Sequence, residues 1–406
     1  MARRPANHNT ARQPVAVDQL PIMGRRLIKL LEQQLARLRH AGTHGNRVLH
    51  DDQVVVAHLI AFFNPVVESL RIVESVFEQP RARRLFKLPE IRRSTLADAQ
   101  RVFDPALLQP LVADLLGRLQ RQPRADTRLD DLTRRIVAVD ATFFEVAGRI
   151  LWALPHNRTS RRGSVQMCLH FDVCDGVPLG FTLLPGSAHE GPELRRNIQS
   201  NTLYLLDRGY QSYRALDAIV AADSDFVVRL RQSANFAALD KRPLTVADRS
   251  VGVQYDWLVQ PSDRRQAFAT PMRLVEIQLP EAAESVRLLT NRLDLSAAEI
   301  GLLYRHRWQI ELFFRWLKCV VQVRHFMSES PEGMTLQLYV ALIGTLLIAL
   351  ETGAPPNKYD FALWCLLVNG GLSPREAREA MDRRRAERQR AAAWQRQYNA
   401  GKKAAH

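Results

Sequence analysis

Residues 304–318 read YRHRWQIELFFRWLK, and their spacing predicts a helical face of unusual content. At about 100° per residue, Tyr304, Arg307, Glu311 and Lys318 fall within an arc of roughly 60°. A phenol, two cations and a carboxylate thus share one stripe. A neighbouring arc collects Leu303, Ile310, Phe313, Phe314 and Leu317, so the helix is expected to pack on a core and present the stripe beside it. Ser296 followed by Glu299 is a capping box that sets the start, and the spacing predicts one helix over 296–318. The ordinary reading of such a stripe is a solvated face with an Arg307/Glu311 ion pair; residues elsewhere in the chain change that balance.

The chain has 406 residues, 46% hydrophobic and 24% charged, which suits a soluble globular protein of two or three structural units. Lys and Arg outnumber Asp and Glu by 57 to 42, and the isoelectric point is near 10.2. A polyanionic partner follows, and nucleic acid is expected before a membrane surface because the basic residues are spread along the chain. Cys168, Cys174, Cys319 and Cys365 form no CxxC pair, which points to a reducing, cytoplasmic compartment and away from a zinc site. No secretory signal is read at the N-terminus. The longest apolar run, 336–350, is shorter than the roughly 20 residues of a membrane span and is expected to be a buried helix.

Residues 1–130 carry helical apolar periodicity, as in LPIMGRRLIKLLEQQLARL and PALLQPLVADLLGRL. Arg25 and Arg26 on the first of these are candidate DNA contacts, against the simpler alternative of solvated arginines. From residue 131 the pattern changes to strand-like runs, RRIVAVDATFFEVA, SVQMCLHFDVC and VPLGFTLLP, followed by alternating helix and strand to about 232. This predicts a mixed α/β sheet. Segments such as VGVQYDWLVQ and VRLLTN suggest a β-rich insertion over 233–290. The second part of the α/β unit then spans 291–352, and a basic helical region spans 353–406.

Asp140 sits mid-strand behind the apolar Ile136–Val139 stretch, where an unpaired carboxylate is costly unless it meets a partner or a metal. Asp207 ends the apolar strand TLYLL and opens DRGYQSY, a strand end where ligands are often met. Singly, either is more ordinarily a turn or cap residue. With Glu311 they form a set of three oxygen donors suited to Mg²⁺ or Mn²⁺. Two such ions serve phosphodiester chemistry, with Arg307 and Lys318 placed for the flanking phosphates.

These residues resemble a known family. Asp140, Asp207 in DRGYQSY, and the Tyr304-x2-Arg307-x3-Glu311-x6-Lys318 signature are similar to the DDE transposases of bacterial insertion sequences, in the group named after insertion sequence four. SAHEGPEL, FVVRLR, LLTN and RWQIELFFRWLK share that group's wording, and the likeness covers about 135–350. It implies a ribonuclease H-like catalytic domain interrupted by a β-rich insertion, with Asp140, Asp207 and Glu311 holding two divalent ions. It also implies phosphate contacts from Tyr304, Arg307 and Lys318, and a homodimer that cuts transposon ends and joins them to target DNA, through a hairpin in some members. Trp257, in the insertion, is a candidate for stacking on an extruded base, although a sheet-core role is the commoner one; Trp308, beside the stripe, is a further candidate DNA contact. A ribonuclease H-like nuclease without strand transfer, and an inactive DNA-binding derivative, are the alternative functions. His189 and Glu190 lack the HExxH spacing of a zinc peptidase, and His170 with Asp172 is expected to form a buried hydrogen-bonded pair.

Overall fold

The β-branched run containing Asp140 forms an interior strand, third from one edge, of a nine-stranded sheet. Its strands are β1 (Arg135–Val146), β2 (Gly163–Asp172), β3 (Val177–Pro185), β4 (Thr202–Leu206), β5 (Asp225–Arg229), β6 (Phe236–Lys241), β7 (Val253–Pro261), β8 (Met272–Ile277) and β9 (Val286–Thr290). The computed structural model describes residues 31–41, 48–86, 88–119, 132–153, 163–262, 268, 270–278, 284–321, 323, 326–368 and 371–404. Arg25 and Arg26 lie outside the described residues.

The strand order is β3-β2-β1-β4-β5-β9-β8-β7-β6. β1, β2 and β3 are antiparallel neighbours, while β4 and β5 run parallel to β1. That order and those directions are the ribonuclease H-like arrangement. The strands of the 236–290 segment extend the same sheet: β9 pairs antiparallel with β5, and β8, β7 and β6 follow in an antiparallel meander.

Alternation along the strands divides the core between the two faces of the sheet. Ile136, Ala138, Leu203, Leu205 and Val227 belong to one apolar cluster, and Val137, Val139, Tyr204, Leu206 and Val228 to the other. Asp140 continues the Ile136, Ala138 face. On that face lies the helical segment 297–320, with Ile300, Leu303, Ile310 and Leu317 fully buried in the first cluster. Burying each such side chain contributes about 1.5–3 kcal/mol, so the packing fixes which side of the helix meets the sheet.

The predicted helix over 296–318 is present but segmented. The capping box forms, with Ser296 Oγ accepting from the Glu299 amide and Glu299 Oε2 accepting from the Ser296 amide. An α-helix runs Ala297–His306, a turn at Arg307 keeps helical dihedrals, and a second α-helix runs Trp308–Arg315. A π-turn, Trp316–Val320, then carries the chain past 318. One extra residue per turn widens it around Trp316, which packs edge-on against Phe361 with ring centroids 5.5 Å apart.

The apolar run at 336–350 lies in the helix Pro331–Thr352, which is long and apolar enough to cross a membrane but has 83% of its most apolar window buried inside the fold. It packs against β3 and the helices Asp51–Phe62, Arg93–Val102 and Gln109–Arg118. The protein's own helices therefore cover its apolar surface. The basic C-terminal stretch forms the helix Pro374–Ala404, docked on the helix Lys358–Val368.

Candidate active site

β4 ends at Leu206, paired with Val139 of β1, so Asp140 and Asp207 are the next residues along two parallel neighbours and face the same side. The helical segment 297–320 brings Tyr304, Arg307 and Glu311 down on them. Arg307 Nη1 donates to Asp140 Oδ2 at 3.0 Å, and Nη2 donates to Glu311 Oε1 at 2.7 Å. Tyr304 OH donates to Asp207 Oδ1 at 3.1 Å. The guanidinium also lies 5.6 Å from the Tyr304 ring centroid, an additional attraction to the ring face. Five residues nominated from the sequence thus meet at one point.

Burial shapes their charges. It pushes the Asp140 carboxyl up to about 6, the Ala141 amide and Arg307 oppose it, and the carboxylates of Asp207 and Glu190 reinforce it. Burial also raises the Tyr304 phenol, against the pull of Arg307. Tyr304 is therefore a hydrogen-bond donor at neutral pH.

Lys318 is placed differently from its three partners in the stripe. Its ammonium donates to the Phe143 carbonyl at 2.7 Å and stands 5.0 Å from the Phe144 ring centroid. That is three residues beyond Asp140 on β1, or about 10 Å along the strand. Burial holds its pKa below the ordinary lysine range, opposed by Cys319. The two cations are spaced along one strand instead of converging on one carboxylate.

The donor chemistry fits a divalent metal: Asp140, Asp207 and Glu311 offer hard oxygen ligands around a half-buried point, with the Arg307 guanidinium between two of them. Among the described residues no three ligands already stand close enough to close around one ion. Arg307 fills the gap between Asp140 and Glu311, so direct coordination by both requires it to swing aside.

Among the described residues, Trp308 and Trp257 are not drawn to this point. Trp308, 53% exposed, is adjacent to it and lines a groove of about 770 Å³ with Tyr304, Arg305, Arg307 and Arg229. Trp257 lies on β7, packed near Tyr255 and against the second core cluster. The His170 and Asp172 pair expected from the sequence does not form. Asp172 instead bonds Arg135 and the amides of Cys174 and Asp175, while His170 packs edge-on against Tyr204. Sequence reasoning weighed Glu190 only as half of an HE pair without zinc-peptidase spacing; its carboxylate lies within electrostatic reach of both Asp140 and Asp207, and its position in SAHEGPEL was the available signal.

The chain matches the family described as Transposase DDE domain over residues 131–347. It belongs to the DDE transposase family. It is 26% identical over 266 residues to the probable transposase of insertion sequence element IS5377 from Geobacillus stearothermophilus, covering 65% of this chain and 68% of that one. A putative transposase of Sinorhizobium fredii is 27% identical, over 63% of this chain and 70% of its own. The transposase InsG of insertion sequence element IS4 from Escherichia coli is 26% identical over half of each chain. A solved piggyBac transposase synaptic complex with hairpin DNA shares 11% identity and a TM-score of 0.40, over 89% of this chain and 82% of that one, too distant to bear on the site. The function of this DDE transposase is DNA transposition.

Proposed function

We propose that the chain cuts DNA at the ends of an insertion sequence and joins the freed ends to target DNA, using Asp140, Asp207 and Glu311 as the metal-holding triad. The observation that carries this is the double bridge from Arg307 to Asp140 and Glu311, with Tyr304 on Asp207. It gathers strand-borne and helix-borne carboxylates with the cation meant for the scissile phosphate. One or two Mg²⁺ or Mn²⁺ ions held there would neutralise phosphate charge and activate the attacking oxygen. In the first step water attacks the end phosphodiester and a 3′-hydroxyl leaves; in the second that hydroxyl attacks a target phosphodiester, forming the new P–O bond as the target strand's own 3′-hydroxyl leaves.

Arg307 and Tyr304 then hold the phosphate being cut, and Lys318 the one further along β1. The chain acts as a homodimer holding two ends, on chromosomal DNA in the cytoplasm, and the N-terminal helical region assists end binding. The test is a supercoiled plasmid carrying the inverted repeats that flank the gene, incubated with the protein and Mg²⁺ or Mn²⁺. Joined products are expected; products cut but never joined would leave a nuclease without strand transfer.

A further inference from the structure

We propose that Glu190 is a fourth carboxylate of the metal site, acting on the bound cation through water from the opposite face of the sheet. The proposal rests on the reading of Asp140, Asp207 and Glu311 as metal ligands, and names a residue outside that triad. Its basis is the way β4 stops. Beyond the Val139–Leu206 pair, β1 has no strand neighbour on that side among the described residues, so the sheet opens beside Asp140 and Asp207.

Glu190 reaches this opening from below. It begins the short helix Glu190–Arg196, whose Leu194 packs in the second core cluster with Tyr210. Its Oε1 accepts from Gln166 Nε2 at 2.5 Å, and Gln166 is paired with Phe143, on the face opposite Asp140. Its Oε2 lies against the DRGY turn, 3.5 Å from where a Cβ on Gly209 would stand. From there the carboxylate is within electrostatic reach of both Asp140 and Asp207.

Two features separate this from a structural carboxylate. Among the described residues no Lys or Arg forms an ion pair with Glu190, whereas Arg307 is shared by Asp140 and Glu311. The polar surroundings are also incomplete: Gln166 Oε1 is buried with no hydrogen-bond partner, although Gln166 is only 1% exposed, while the Tyr210 hydroxyl turns to Glu190 itself. Buried polar atoms of this kind are ordinarily satisfied by ordered water. Water held by Gln166 and Glu190 would face the cation at Asp140 and Asp207 and accept its outer-sphere contacts.

Manganese binding to the full chain without DNA, followed by calorimetric titration with MnCl₂, tests this. Glu190→Gln is expected to weaken Mn²⁺ affinity about 10-fold or more, as loss of outer-shell partners does, and Glu190→Asp to recover part of it. Asp140→Asn is the control and is expected to abolish high-affinity binding. Wild-type affinity in Glu190→Gln, with binding lost in Asp140→Asn, overturns the proposal alone; wild-type affinity in both overturns the triad reading. If Glu190→Gln does not fold, Gln166→Met releases the tether while keeping the charge. A weakening of several-fold then supports the proposal, and unchanged affinity contradicts it.

Discussion

Arg307 donates to Asp140 across 167 positions of sequence, at 3.0 Å, while only 8% of Arg307 remains exposed. This contact joins the helix to β1 beside the carboxylates proposed to hold metal. Arg307 is the counter-charge of Asp140 and Glu311.

Removing it exposes the repulsion it masks. Arg307→Ala is expected to lower stability without metal by about 1–3 kcal/mol, less than for a fully buried pair because both carboxylates keep some solvent. Added Mg²⁺ is then expected to raise the melting temperature more in the variant than in the wild type. Thermal melts with and without Mg²⁺ check this; an equal metal response in both proteins would show that Arg307 and the metal do not share the same carboxylates.

The raised Asp140 carboxyl gives two opposite pH effects. Metal binding needs the carboxylate, so Mn²⁺ affinity is expected to fall as pH drops below about 6. Stability runs the other way: a carboxyl whose folded pKa is raised from 3.8 to about 6 favours the fold at low pH, and that contribution is lost as pH rises through this window. Asp140→Asn is therefore expected to be more stable than wild type at pH 8 without metal, by on the order of 1–3 kcal/mol. Urea unfolding at pH 8 and pH 4 measures it; a variant less stable than wild type at pH 8 contradicts the assignment.

Lys318 is set by its bond to the Phe143 carbonyl. Lys318→Ala is expected to weaken DNA binding roughly equally across sequences, and to reduce the slope of log affinity against log salt by about 1. Fluorescence anisotropy over a salt series reads both, and an unchanged slope argues against a phosphate contact.

The helix Pro331–Thr352 is a core element, and Gly344 shows how tightly it is held. A Cβ there would stand 2.6 Å from Phe62 Cδ1, with a second ring carbon nearer still. Gly344→Ala is expected to cost about 1–3 kcal/mol by overpacking, read by urea unfolding; a neutral effect would mean the helix is loosely packed.

Much of the site was legible in the sequence because its parts lie on regular elements. The period of a helix places Tyr304, Arg307 and Glu311 on one face, and alternation along β1 places Asp140 opposite the second core cluster. Lys318 was less legible, since the π-turn at Trp316–Val320 depends on packing against Phe361, more than 40 residues on. Asp172 was misjudged for a similar reason: its partner Arg135 comes from a neighbouring strand, so same-face spacing with His170 was no guide. Glu190 was hard to place because, although SAHEGPEL marks the segment, its approach to the DRGY turn is a tertiary contact that local spacing does not carry.

Strand cleavage is the most direct test of the central claim. Wild type, Asp140→Asn, Asp207→Asn and Glu311→Gln are incubated with end-bearing DNA and Mg²⁺, with metal-free DNA binding measured alongside. Each variant is expected to bind DNA and lose at least about 10²-fold in cleavage rate. Wild-type cleavage in any one of them would remove that residue from the site, and wild-type cleavage in all three would contradict the account.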